Sequence, residues 1–440
     1  MKLTISPNKR HFHLDGKPFF WLGDTAWLLF QKLTYEEALV YLDNRAAKGY
    51  TVIQATLVHM RGYANTAGAP ALLDDDFAKP NPDTAPHAYW PHVRRIVDAA
   101  AQRGLFMALL PSWGSFVPSG ALSGEKIDTY TDFLAQTFGD CENVLWLTGG
   151  DVRGSAALED FKHLGCSLRR KCPTHLVGFH PFGRCSSSQW FHTEDWLDFN
   201  MFQSGHRRYD QAVMNEWDDK AAAETFVGED SYRYVQHDYS LTPVKPVLDG
   251  EPSYELIPQG LHDGTQPYWQ ACDVRRYAYW SLMAGACGFT YGSNAIMQFW
   301  RGVEGGAFSV IETWQEALHN PGSMYMTHVR HLMESIRWQE GTPAQDALVD
   351  NNGTRYDYNL ALQTPAALCV YTYSGKPFAV RTSHLPGRIQ GWWFDPVSGG
   401  KSCMGPVESA DRVVFTPPNR RMGQNDWVLV LETKEEGPAE

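Results

Sequence analysis

Short apolar runs rich in β-formers recur through the first 340 residues, and between most of them the apolar positions repeat at helical spacing. The runs centre near residues 21, 54, 108, 146, 177, 200, 247 and 290. Val144-Leu145-Trp146-Leu147 is representative: uninterrupted and apolar, as a strand buried on both faces requires, and stopped by Gly149-Gly150. The intervening helices carry end signals. Thr34 caps a helix to Gly49 with Glu37 as the second half of a capping box, and Tyr89 to Gly104 repeats the capped-and-stopped design. Further helices are predicted near Lys126–Phe138, over 156–170, near Asp210–Glu224, over Pro267–Ala286 and, as one long segment, over Val310–Arg337. A hairpin with an Asp15-Gly16 turn leads in. Eight strand-helix units predict an α/β fold, a (β/α)8 TIM barrel. An open doubly wound sheet would carry a glycine-rich phosphate turn, and no G-x-G-x-x-G or G-x-x-x-x-G-K-[ST] occurs.

After about Gly341 the period changes. Leu360–Leu362, Ala367–Tyr373, Pro377–Arg381, Ile389–Phe394, Val413–Thr416 and Trp427–Glu432 are short runs divided by Ser-Gly and Pro-Gly turns, the pattern of a small antiparallel β-sandwich. The predicted division is therefore a barrel over 1–342, a sandwich over 343–434 and a frayed charged tail over 435–440.

Composition narrows the function. The net charge of −12 is spread along the chain without a basic run, which argues against nucleic acid or anionic membrane as partner. No window is apolar enough to span a bilayer, and the N-terminus lacks the apolar core of a signal peptide. A soluble, cytoplasmic protein is expected, or a secreted one if a leader has been removed. The eight cysteines form no Cys-x-x-Cys pair, so they are read as reduced and mostly buried. Aromatic residues make up 13% of the chain, and their flat faces suit the C–H faces of sugar rings. Nothing in the sequence sets the oligomeric state.

In a parallel barrel the ligand lies beyond the carboxyl ends of the strands. Those ends carry Asp24 and Trp27, His59, Trp113, Asp151, His180, Gln203 with His206, Glu251 with Tyr254, and Tyr291 with Asn294, whereas the opposite ends carry no comparable set. Two carboxylates stand out. Asp151 follows the fourth strand and Glu251 the seventh, across the lumen from it, with Pro252 stiffening the second turn. A carboxyl pair flanking a glycosidic bond is the minimum equipment for hydrolysing it. Asp249 and Glu229 compete for the second role, Asp249 reading better as a buried structural acid and Glu229 as a loop residue.

These residues carry a resemblance. The run from Gly16 to Trp27, the run from Arg45 to Gln54, Gly149-Gly150-Asp151, Gln203-Ser204-Gly205-His206 and Asp249-Gly250-Glu251-Pro252 together resemble the apiosidase-like glycoside hydrolases. Gly391-Trp392-Trp393-Phe394-Asp395-Pro396 and Asp426-Trp427-Val428-Leu429-Val430 resemble the β-sandwich that usually follows that catalytic domain and carries a collagen-binding label. The resemblance implies a retaining hydrolase that releases apiose from pectic or plant glycosides, with Asp151 as acid/base and Glu251 as nucleophile. Around the eighth strand, Gly288-Phe289-Thr290-Tyr291-Gly292-Ser293-Asn294 stands where the family pattern is rich in histidine, so different groups border the sugar here. Asp24, His180, Gln203, His206 and Tyr291 are the expected hydroxyl-binding groups, with Trp27, Trp113 and Tyr254 as platforms. A non-catalytic sugar-binding barrel is the rival reading, as is a glycosidase for another pentose or furanoside. No cofactor is expected, and no H-E-x-x-H or similar ligand spacing supports a metal.

Overall fold

The computed structural model describes residues 2–214, 226–303, 305–350, 352–418 and 424–434. Eight parallel strands build the barrel: β1 (Trp21–Thr25), β2 (Val52–Thr56), β3 (Phe106–Leu110), β4 (Val144–Val152), β5 (Val177–Pro181), β6 (Asn200–Gln203), β7 (Val247–Asp249) and β8 (Gly288–Tyr291). They are the eight predicted runs. The sheet runs β5-β4-β3-β2-β1-β8-β7-β6 and ends on a two-residue antiparallel strand, Cys185–Ser186, while β8 returns to β1 with Gly288 opposite Trp21 and Tyr291 opposite Asp24. Only β5 and β6 share no ladder. There Asp198 bridges the gap, its N–H donating to Val177 O and its Oδ2 accepting from Val177 N. Every residue of the eight strands is buried except one, Asp151.

Helices α1 (Tyr35–Ala47), α2 (Tyr89–Gln102), α3 (Glu125–Phe138), α4 (Leu158–Lys171), α5 (Ser231–Tyr239), α6 (Ala271–Met283) and α7 (Pro321–Ser335) accompany the strands. The Thr34–Glu37 capping box forms in both directions. The long helix expected over Val310–Arg337 is instead two, Trp314–Ala317 and α7. Pro321 opens the second, because proline suits a first turn and pushes the residue before it into extended backbone. Most of the helix expected near Asp210–Glu224 lies outside the described residues, as does the expected tail, and 210–214 are not helical. Among the described residues the helix before β7 is α5, whose Ser-Tyr-Arg-Tyr-Val-Gln-His-Asp-Tyr run has too few aliphatic residues to show a period.

The C-terminal sandwich has a six-stranded sheet over three short strands. In the large sheet, alternate residues face opposite ways. Leu360, Leu362, Cys369, Tyr371, Val428 and Val430 join the barrel's core, whereas Ala361, Leu368, Val370, Leu429 and Leu431 close the sandwich's own. Arg275 on α6 forms a bidentate pair with Asp426 at 2.7 Å for both bonds, with neither side chain exposed, and Tyr279 stacks on Tyr371 at 4.7 Å. Strand Lys401–Val407 was not foreseen: it is a largely exposed edge strand, so nothing in its sequence alternates. None of the eight cysteines is disulfide-bonded. Among the described residues no helix is long and apolar enough to cross a membrane.

Candidate active site

β4 ends in a bulge. Its pairing with β5 passes from Gly149–His180 directly to Val152–Pro181, leaving Gly150 and Asp151 out of the ladder. Gly149, Gly150 and Asp151 have φ of 87°, 113° and 46°, a left-handed run that glycine adopts without strain. Space is equally restrictive, since a Cβ on Gly149 would lie 2.3 Å from His180 O and one on Gly150 2.9 Å from Gly114 N. The two glycines therefore turn the Asp151 carboxylate out of the strand and into the barrel mouth.

Glu251 is held by its neighbours' peptides. Gly250 N donates to Phe202 O at 2.9 Å, Gly250 O accepts from Gln54 Nε2 at 3.0 Å across the barrel, and Glu251 O accepts from Gly205 N at 3.1 Å. His206 Nε2 lies 3.1 Å from Glu251 Oε1, and because His206 Nδ1 accepts from Tyr254 N, the proton sits on Nε2 and points at the carboxylate. His180 Nε2 lies 3.0 Å from Oε2, close enough for charge attraction but off the line of a hydrogen bond. Burial opposes ionisation of Glu251, yet the two imidazoles outweigh it and pull the carboxyl down to about 2. Burial works on His180 in the opposite sense, and the carboxylate again prevails, raising the imidazole above its ordinary value.

Asp151 is affected differently. It faces the open pocket, but protein surrounds it on the other sides. Desolvation and then the negative charge of Glu251 push its carboxyl up to about 7, against a hydrogen bond from Gln203 that favours the ionised form. Two acids thus stand with an oxygen of each within 4.8 Å of the other, one protonated near neutrality and the other ionised. With His180 they make the one trio among the described residues spaced to hold a metal ion. Its ligand atoms are the oxygens of this carboxyl pair and an imidazole already facing Glu251.

The pair opens into a cavity of about 570 Å3. Of the predicted sugar-binding residues, Trp27, Trp113, His206 and Tyr254 line it, while His180 and Gln203 stand behind the two acids. Trp27 packs edge-on against both Trp113 and His180. Asp24 and Tyr291 do not line the cavity. Asp24 is fully buried and takes Arg45 Nε and the Tyr41 hydroxyl, each at 2.6 Å, because α1 brings that cation under the strand end. The Tyr291 hydroxyl donates to buried Glu255 at 2.5 Å. Asp249 is buried among the Ser204 and Ser281 hydroxyls, with burial pushing it up to about 8. Glu229 lies in a turn, as expected, where it is buried and paired with Arg276 on α6. A lining residue left out of the predicted binding set is His59, at the end of the second strand. Its ring lies 4.4 Å from Trp113, its Nδ1 has no partner, and burial lowers it to about 4.

Residues 6–340 match the catalytic-domain model of the apiosidase-like family. The chain belongs to that family. Residues 342–432 match a domain described as the "Putative collagen-binding domain of a collagenase". Two solved structures are similar over nearly the whole of this apiosidase-like chain. One, described as a glycoside hydrolase, is 37% identical, with 98% of this chain and 97% of that one covered and a TM-score of 0.92. The other, a glycoside hydrolase family 5 protein from Bacteroides vulgatus, is 36% identical, with 98% and 94% covered and a TM-score of 0.92. An endo-1,4-β-mannanase from Rhizomucor miehei shares the barrel at 12% identity, with 76% of this chain and 100% of that one covered and a TM-score of 0.53. No curated protein matches. The apiosidase-like protein is a glycoside hydrolase, and carbohydrate is its substrate class.

Proposed function

We propose that this enzyme is an exo-acting, retaining glycosidase in which Asp151 is the acid/base and Glu251 the nucleophile. The observation that carries the reading is the spacing of the pair, an oxygen of each within 4.8 Å. Retention needs carboxyls about 5–5.5 Å apart, whereas inversion needs about 6.5–9.5 Å to seat a water between them. The opposed protonation states fit the same division of labour.

In the first step Glu251 bonds to the anomeric carbon as the bond from that carbon to the leaving oxygen breaks, and the Asp151 proton passes to that oxygen. In the second, water gives a proton back to Asp151 while its oxygen displaces Glu251 from the same carbon. The terminal sugar sits at the cavity floor against Trp27, Trp113 and His59, with His206 and Tyr254 beside the nucleophile. The family resemblance favours a furanose such as apiose, drawn from a plant or pectic glycoside.

Glu251→Gln keeps the shape of the side chain and removes its charge. Its kcat should fall on the order of 10⁴-fold or more with the thermal midpoint little changed, measured on whichever member of a panel of 4-nitrophenyl furanosides and pyranosides the enzyme cleaves. Activity surviving in that variant would exclude Glu251 as nucleophile, and a barrel that only binds sugar would show no turnover in either protein.

A further inference from the structure

We infer that the outer half of the cavity is a subsite for an apolar leaving group, so that of plant and pectic glycosides the natural substrate is the former, a sugar joined to a hydrocarbon or aryl aglycone rather than to another sugar. This rests on the hydrolase reading above and extends it from the sugar to the group that departs.

The polar atoms of the cavity are unevenly shared. Asp151, Glu251, His206 and His59 surround the floor, whereas the loop after β8 and the loop before α6 supply Trp300, Phe308, Met297 and Leu261. The polar groups on the β8 side are already engaged. Gln298 bonds to Asn294 and Ala307, the Trp300 indole donates to Val303 O at 2.7 Å, and Arg301 holds Glu37 through two bonds. Hydrocarbon is what remains to face a ligand. Met60 and Val303 on the cavity lining are 45% and 66% exposed, surface that water wets poorly and an apolar group would cover.

Backbone conformation points the same way. Two of the half-buried apolar lining residues, Leu261 and Phe308, sit at φ of 81° and 52°. Bulky L-residues are strained there and glycine is not. Side chains retained at such positions serve the surface they form. A second sugar on this wall would find aromatic faces but few free partners for its hydroxyls, the rim groups Gln31 and Lys32 being the candidates.

The test takes the sugar that the nitrophenyl panel identifies and compares its methyl glycoside, its n-octyl glycoside below micelle formation, a disaccharide with the same terminal sugar, and a glycoside whose leaving group is a uronic acid. Methyl and octyl leaving groups are of similar basicity, so their ratio reads the wall and not the chemistry. The octyl glycoside should show kcat/KM about tenfold or more above the methyl, and above both sugar-linked substrates, and Trp300→Ala and Phe308→Ala should each bring the octyl-to-methyl ratio toward one. Equal rates for methyl and octyl, or a preference for the disaccharide or the uronate, would overturn the inference while leaving the hydrolase reading intact. A panel with no turnover at all would instead overturn the reading beneath it.

Discussion

Around Glu251 two imidazole nitrogens stand at 3.0 and 3.1 Å, while on Asp151 burial and the negative charge of Glu251 prevail over the same two imidazoles. The same functional group is thereby set to opposite protonation states about 2 and about 7. The consequence for pH is directional. As the proposed acid Asp151 must start protonated, so kcat/KM should fall as pH rises through about 7, while the limb due to Glu251 should lie far down on the acid side, near 2. Because Gln203 stabilises the ionised form of Asp151, Gln203→Ala should move the alkaline limb upward, and a pH profile of kcat/KM in the two proteins checks it. A limb that stays put or moves down would remove Gln203 from this role. Both acids stood out as candidates in the sequence because each follows a run of β-formers at a turn on the cavity side of the barrel. Asp24 ends its run equally well, but nothing in one sequence told that Arg45, twenty-one positions on, would come up beneath it and take the carboxylate.

At the scale of elements, the bulge that ends β4 decides where the acid points. Gly149→Ala would place a methyl 2.3 Å from the His180 carbonyl at a φ of 87°, so the strand end must shift. The expected result is a loss of about 3 kcal/mol or more in stability, read by denaturant unfolding, with a fall in kcat larger than for Gly120→Ala, where a Cβ meets nothing. The strands themselves were easy to read. All eight are buried on both faces, which forces near-continuous apolar text. Elements with weaker demands were not. α5 buries few aliphatic groups, the edge strand Lys401–Val407 buries almost nothing, and Pro321 divides a pattern that otherwise reads as one helix.

Over the whole molecule, barrel and sandwich share a core, with the Arg275–Asp426 pair closed inside it. Asp426→Ala would leave a guanidinium buried without its carboxylate, at a cost of about 3–5 kcal/mol. Replacing both partners, Arg275→Met with Asp426→Leu, should recover most of that loss, and calorimetry of the two variants checks it. A full loss in the double variant would mean the pair contributes beyond mutual neutralisation. This coupling was the least legible level. Alternation within Leu360–Leu362 and Ala367–Tyr373 shows two buried faces, but not that one of them is completed by α6 ninety residues earlier.

The assignment of the two carboxylates is tested most directly by azide rescue of Asp151→Ala and Glu251→Ala on an activated aryl glycoside, with the product's anomeric configuration read by NMR. Asp151→Ala should yield a glycosyl azide of the same configuration as the substrate, because azide meets the intermediate held by Glu251, and Glu251→Ala should yield the opposite one, because azide takes the nucleophile's place. The reverse pairing of variants and configurations, or an inverted sugar as the first product of the unmodified enzyme, would contradict the account.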